Sequence, residues 1–225
     1  MLSLDTQTVG GYLAAADPVP VAALGPDSWY ARRGKRLFDV LVALLVTITV
    51  LSWLVPVVGL FIRIGSPGPI FFRQRRSGKF GQVFWCLKFR SMYYRPTQFA
   101  QATQNDARVT PIGRFLRKTN LDEMPQFINV LLGDMSIVGP RPHAIEHDDR
   151  YWFTLPNYHL RYHVRPGVTG LAQVRGARGE TDKLAKMKHR VSYDKLYVRK
   201  QGFLVDIKIC FMTVGAMLRG NVNAW

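Results

Sequence analysis

Asp122 and Glu123 stand side by side in a chain that carries 31 Lys and Arg against 15 Asp and Glu. Two adjacent carboxylates in so basic a chain can do phosphate chemistry. One can attack phosphorus and form an acyl phosphate. The pair can also hold magnesium, which commonly takes one or two carboxylates plus substrate phosphates. Pro125 follows, and a missing N–H is harmless only in the first turn of a helix. The helix therefore starts near Asn120–Asp122, where both acids complement the helix dipole. The alternative for the same residues is plain: Asp122 or Asn120 caps the helix and Glu123 is a favourable first-turn acid.

Basic residues cluster around that pair in sequence. Lys88 and Arg90 flank Phe89 at the end of a predicted strand, and Arg117 with Lys118 directly precedes the acids. Arg141 is held between Pro140 and Pro142, and Arg165 precedes Pro166-Gly167. Arginine suits bidentate contact with phosphate oxygens. Each taken alone reads better as a solvated surface charge; only their placement at turns and element ends suggests that they converge.

The elements that must position these groups are a membrane helix and a compact domain. Residues 1–30 contain Asp5, Asp17 and Asp27, no basic residue, and many Ala, Gly and Pro, and read as a weakly ordered tail. Residues 31–64 hold the basic cluster Arg32, Arg33, Lys35 and Arg36, then an apolar run from Leu37 to Ile62 whose only charge is Asp39. A bilayer takes roughly 20 such residues. Pro56 lies inside the run, where it breaks or kinks a helix. Basic residues flank both ends, and Lys and Arg prefer the cytoplasmic side. A helix that bends at Pro56 and returns keeps both flanks inside; a kinked spanning anchor is the other topology.

Residues 65–225 read as the catalytic domain. Ser66-Pro67-Gly68-Pro69 is a turn cluster, 70–73 and 83–89 are strands, and 92–110 is a polar loop. Helices are predicted over 112–118, 121–132, 144–163, 180–200 and 204–218. The fold class is α/β, mostly helical with a small sheet.

A net charge of +16 points to an anionic partner: nucleic acid, lipid headgroups or a phosphorylated substrate. Nucleic acid is disfavoured, because the basic residues are spread along the chain without interleaved aromatics or a basic helix face. A membrane-tethered nucleic-acid binder is nonetheless the competing class. Glycoside hydrolysis needs carboxylates about 5–9 Å apart across a sugar, a poor fit to sequence neighbours. Cys86 and Cys210 have no partner spacing, and five scattered histidines form no ligand pattern.

In order, a set of motifs resembles the bacterial sugar transferases, the monotopic polyprenyl-phosphate phosphoglycosyl transferases. They are Lys35-Arg36-Leu37-Phe38-Asp39, Ser66-Pro67-Gly68-Pro69 with Phe71-Phe72-Arg73-Gln74, Lys88-Phe89-Arg90-Ser91-Met92, and Leu121-Asp122-Glu123-Met124-Pro125-Gln126. The stretch Gly133 to Pro142, Val164-Arg165-Pro166-Gly167-Val168-Thr169-Gly170 and Asp206-Ile207-Lys208-Ile209 complete it, over residues 33–225.

The resemblance implies a re-entrant helix kinked at Pro56 and one compact cytosolic domain, on the cytoplasmic face of the bacterial inner membrane. It implies Asp122 as nucleophile, Glu123 beside it, Mg2+ at the pair, and Lys88, Arg117 and Arg141 as cations of the site. A UDP-sugar would give a hexose-1-phosphate to undecaprenyl phosphate with release of UMP, starting an exopolysaccharide or capsule chain; the chain would act alone or as a homodimer. Arg178-Gly179-Glu180-Thr181 and the ending Asn221-Val222-Asn223-Ala224-Trp225 look like members that use UDP-glucose, with UDP-galactose second. Two positions depart from the family: Val55 stands where some members carry Ser, and Arg175-Gly176-Ala177-Arg178 replaces Asn-Gly-Arg, with Arg178 supplying the arginine. The multi-helix N-terminal membrane region of longer members has no counterpart in the sequence, which looks like the catalytic unit.

Overall fold

The structure, a computed structural model, describes residues 28–94, 106–177, 179 and 184–219. It is mostly helical, with two small sheets. Residues 1–27, 95–105, Arg178, 180–183 and 220–225, and with them the Glu180-Thr181 and Asn221–Trp225 motifs, fall outside the described residues.

The apolar run forms one helix, α1, over Tyr30–Gly65. Helical structure continues through Pro56, so no break lies there. A π-helical turn, Thr47–Leu51, sits just upstream. There the backbone ladder is displaced, and side chains cover freed carbonyls. Thr49 Oγ1 donates to Leu45 O (2.7 Å), Ser52 Oγ to Ile48 O (2.7 Å) and Trp53 Nε1 to Thr49 O (2.9 Å). These donors serve the helix although Val55 carries none.

Strands β1 (Phe71–Ser77) and β2 (Val83–Phe89) pair as an antiparallel hairpin, Phe71 facing Phe89 and Ser77 facing Val83. Helix α2 (Pro111–Thr119) starts as its sequence dictates. Thr110 accepts the Gly113 N–H at 3.0 Å, and Pro111 occupies the first position. It stops at Asn120, which adopts a left-handed conformation with φ 58°.

The acidic pair departs from its predicted setting. Leu121–Glu123 is a separate 3-10 turn, and helix α3 (Gln126–Leu132) begins only after Pro125. Asn120 therefore terminates one helix, and its side chain makes no capping bond to the 3-10 turn that follows. Asp122 makes no capping bond either. Gly133 then closes α3 with φ 97°.

A second sheet escaped prediction: β3 (Ser136–Val138) lies parallel to β4 (Gly167–Thr169). Three residues are too few to show alternation. Close approach is built into the sequence instead, because a Cβ on Gly139 would lie 2.8 Å from Gly167 N. The helix predicted over 144–163 is divided. Helix α4 covers Ile145–Tyr151 and a 3-10 segment covers Tyr158–His163. Pro156 lies between them and bars an uninterrupted ladder. Helices α5 (Leu171–Val174), α6 (Leu184–Lys200) and α7 (Phe203–Leu218) complete the described order.

Both ends of α1 are built into the domain. Ala43 joins a core with Val130, Met135, Ile137 and Tyr197, while Leu54, Val58 and Ile62 join a core with Phe89 and Leu116. Between them Leu44, Leu45, Ile48 and Trp53 are exposed.

Candidate active site

The site is assembled where β2, the 3-10 turn and the Pro140–Pro142 loop converge. Asn129 on α3 supplies the link to β2. Its amide donates to Trp85 O (2.8 Å) and accepts from Leu87 N (2.9 Å), imitating a strand neighbour. That docking sets Lys88 over the 3-10 turn. Lys88 Nζ lies 2.6 Å from Glu123 Oε1. Arg141 grips the same carboxylate with two prongs, Nη1 to Oε2 at 2.9 Å and Nη2 to Oε1. The Glu123 side chain is only 14% exposed. Burial alone would raise its pKa, but Arg141 and Lys88 hold it well below the usual carboxylate range.

Asp122 is treated differently. Its half-buried carboxylate has no hydrogen bond or ion pair among the described residues. Burial pushes its pKa up, as does the neighbouring Glu123 charge, while Lys88, Arg117 and Arg141 pull it down. The result is about 6. The pair thus divides into a neutralised acid and a free one. At pH 7.5 the free one is ionised, half-shielded from water and framed by cations, which suits a nucleophile.

Arg117 reaches the site through a glycine. A Cβ on Gly113 would strike Ser91 O at 1.9 Å, so α2 can lie this close to the end of β2 only with glycine there. Arg117 Nε then donates to Ser91 Oγ at 2.9 Å. Ser91 was quoted in the sequence only as part of a motif; its hydroxyl orients this arginine.

Two expected phosphate-binding residues sit elsewhere. Arg90 lies one residue past β2, where the chain leaves the pleat. Its guanidinium donates to Ser66 O (2.7 Å), Ile62 O (3.3 Å) and Pro67 O, and the residue is buried. It clamps the end of α1. Arg165 Nε donates to Gly133 O at 2.8 Å, and its side chain lines a different pocket with Lys79.

Sequence reasoning missed the groups that carry the Arg141 loop. Arg161 Nη2 donates to Arg141 O at 2.6 Å, and Arg76 Nη1 to Pro142 O at 2.6 Å. Arg161 is itself fixed by Asp194, with Nη2 3.0 Å from Oδ2. Arg190 donates to Ala177 O (3.1 Å) and Gly179 O (2.9 Å), bracketing the segment that carries Arg178. Arg161, Asp194 and Arg190 are buried and Arg76 is half-buried, and no local sequence signal marks any of them as a support of the site.

No group of three or more His, Cys, Asp or Glu suited to a metal occurs among the described residues. The donor set still fits a magnesium ion that takes one or two carboxylates and completes its shell with substrate oxygens. Asp122 is the free carboxylate; Glu123 joins only where Lys88 or Arg141 shifts to a substrate phosphate.

The Bacterial sugar transferase family model matches residues 30–220. The chain is 48% identical over 209 residues, 91% of its length, to the UDP-glucose:undecaprenyl-phosphate glucose-1-phosphate transferase of Escherichia coli (strain K12). It spans 44% of that protein. It is 47% identical to the Caulobacter vibrioides protein of the same name, over 82% of this chain and 69% of that one. An exopolysaccharide production protein of Rhizobium leguminosarum bv. phaseoli is 45% identical, over 80% of this chain and 92% of its own length. The chain spans less than half the length of several curated relatives it matches. With the ordered motifs, the paired acids and a family match across nearly the whole chain in agreement, this protein belongs to the bacterial sugar transferase family.

Proposed function

We propose that this chain transfers a hexose-1-phosphate, with glucose-1-phosphate favoured, from a UDP-sugar to undecaprenyl phosphate. The observation that carries the reading is the division of labour between Asp122 and Glu123. An ionised carboxylate without a partner stands beside one neutralised by Lys88 and Arg141. The named activity of the E. coli and Caulobacter relatives supports the substrates.

The reaction proceeds in two displacements. A carboxylate oxygen of Asp122 attacks the sugar-bearing phosphorus. The bond from that phosphorus to the bridging oxygen breaks, and UMP leaves. An oxygen of the lipid phosphate then attacks the aspartyl phosphosugar and returns the Asp122 carboxylate. Lys88, Arg117 and Arg141 hold the diphosphate oxygens and offset charge that develops on them. A bound magnesium ion at Asp122, and at Glu123 once a cation moves, would polarise the diphosphate and neutralise its charge.

α1 is the membrane element of this reading. It is the helix among the described residues that is long and apolar enough to cross a bilayer. The re-entrant path is favoured because both of its ends pack on one domain while one face, from Leu37 and Leu41 to Phe61 and Ile64, stays exposed along its length. The π turn and Pro56 are the two features that bend a helix there. The catalytic domain then lies on the cytoplasmic face of the inner membrane.

The test needs no lipid acceptor. Purified protein with UDP-glucose and magnesium should release about one UMP per site and stall, the burst of covalent catalysis. Its mass should rise by one hexose phosphate. Turnover without a burst would favour direct transfer from donor to lipid; no UMP release with any UDP-sugar, lipid present, would overturn the reading.

A further inference from the structure

Asp148, on α4, is completely buried, and its carboxylate is held by hydroxyl groups. Oδ1 accepts from the Tyr158 hydroxyl at 2.8 Å and from the Tyr162 hydroxyl, and Oδ2 accepts from Ser77. Burial holds both phenols well above their usual pKa range, so they stay protonated and donate. A buried carboxylate is costly unless its oxygens are satisfied, and three O–H groups satisfy this one.

The supports of the Arg141 loop meet at that carboxylate. On one side, the Tyr158 and Tyr162 hydroxyls accept in turn from Arg161 Nη1, at 3.4 and 3.3 Å. The guanidinium also lies 5.3 and 5.4 Å from the centroids of the same two rings. Arg161 Nη2 then holds Arg141 O at 2.6 Å. On the other side, Ser77 N donates to His143 O at 3.4 Å, and its neighbour Arg76 holds Pro142 O at 2.6 Å. Asp148 N itself donates to Ala144 O at 3.3 Å. The carbonyls of residues 141 to 144 are thus gripped in succession, and every grip leads back to Asp148 directly, through Ser77 or through the two tyrosines.

A loop gripped in this way gives the Arg141 guanidinium one position beside Glu123. A small error in the backbone grows along a long side chain, and misplacing a group that stabilises developing charge costs rate more than affinity. We infer that Asp148 is a positioning residue for the transfer reaction: it fixes the Arg141 loop against the 3-10 turn of the paired acids, without touching substrate. This rests on the two-displacement reading given above.

Steady-state turnover with UDP-glucose and undecaprenyl phosphate, normalised per active site by the UMP burst, tests it. Asp148→Asn keeps the shape and removes the charge. Its kcat per active site should fall about tenfold, with KM for UDP-glucose within about twofold of wild type. Combined with Arg161→Lys, the loss should stay close to the larger single loss, because the two residues share one network. A role in folding alone lowers the number of bursting sites and leaves kcat per site unchanged, and that result would overturn the proposal. So would a loss carried by KM alone, or losses that multiply in the double variant. Should Asp148→Asn fail to fold, Tyr162→Phe removes one of its donors without touching a charge. It should lose about threefold in kcat per site, and wild-type kcat there would equally overturn the proposal. No UMP release by wild type sinks the transfer reading itself; a wild-type burst with unchanged variants sinks only the role of Asp148.

Discussion

The guanidinium of Arg141 contacts both carboxylate oxygens of Glu123, and Glu123 is thereby the acid of the pair that cannot be the free nucleophile. Glu123→Gln should abolish or strongly reduce turnover. It also leaves Lys88 and Arg141 facing each other without their acid, so stability should fall by about 2 kcal/mol, between the exposed and the buried ion-pair cases. Urea unfolding in detergent measures the second effect and UMP release the first. Wild-type stability and turnover in this variant would remove Glu123 from the site.

Asp122 responds in the opposite sense. Its folded pKa is about 6, above its ordinary 3.8. The native state therefore holds its proton more tightly than the unfolded chain does. Stability from this group is present below about pH 4 and is lost as pH rises through 6. Asp122→Asn should then be as stable as wild type or more so at pH 8, with the difference fading toward pH 4, while burst and turnover vanish. A clear loss of stability at pH 8 would show that the ionised carboxylate has a partner.

The same ionisation governs rate. UMP release by the wild-type protein should fall about tenfold per pH unit below about pH 6, because a protonated carboxyl cannot attack phosphorus. A burst rate that is constant from pH 5 to 8 would exclude Asp122 as its source.

Arg161 reaches the site through the Arg141 backbone. Arg161→Met removes one partner of a buried ion pair with Asp194 and should cost about 3–5 kcal/mol. Arg161→Lys keeps the charge and loses the fork. It should lower kcat more than it raises KM and shift the acid limb of the pH profile, since Arg141 then holds Glu123 less firmly. Loss of stability with an unchanged limb in the folded fraction would mark a purely structural role.

Magnesium dependence is expected from a free carboxylate among phosphate-binding cations. EDTA should abolish turnover and added magnesium restore it. Full activity in metal-free buffer would exclude the ion.

Much of this was legible before the fold. Val83–Phe89 appears as a strand with the predicted bounds, and the helix predicted over 112–118 is Pro111–Thr119. Lys88, Arg117, Arg141 and the paired acids do come together, because the strand end, the proline-framed loop and the 3-10 turn each leave one side chain pointing inward. Arg90 shows why the rest was not. Two positions from Lys88, it reads as the same face of one strand, yet the strand ends at Phe89 and α1 supplies carbonyls for it. Whether a cation meets phosphate or backbone is settled by tertiary partners, which local pattern does not carry. Arg161 and Asp194 lie 33 positions apart, and nothing local joins them.

The burial of Ala43 and Ile62 in two different cores gives α1 a second duty. A detachable tether holds an enzyme near its substrate and is interchangeable with any other. Here deleting the apolar helix uncovers the hydrophobic interior from two sides, so a water-soluble fragment starting at residue 65 should aggregate rather than fold. On the proposed reading of α1 as the membrane element, insertion into lipid and acquisition of catalytic geometry are one cooperative event, and a chain that fails to insert would be a substrate for proteolysis instead of a stray active enzyme.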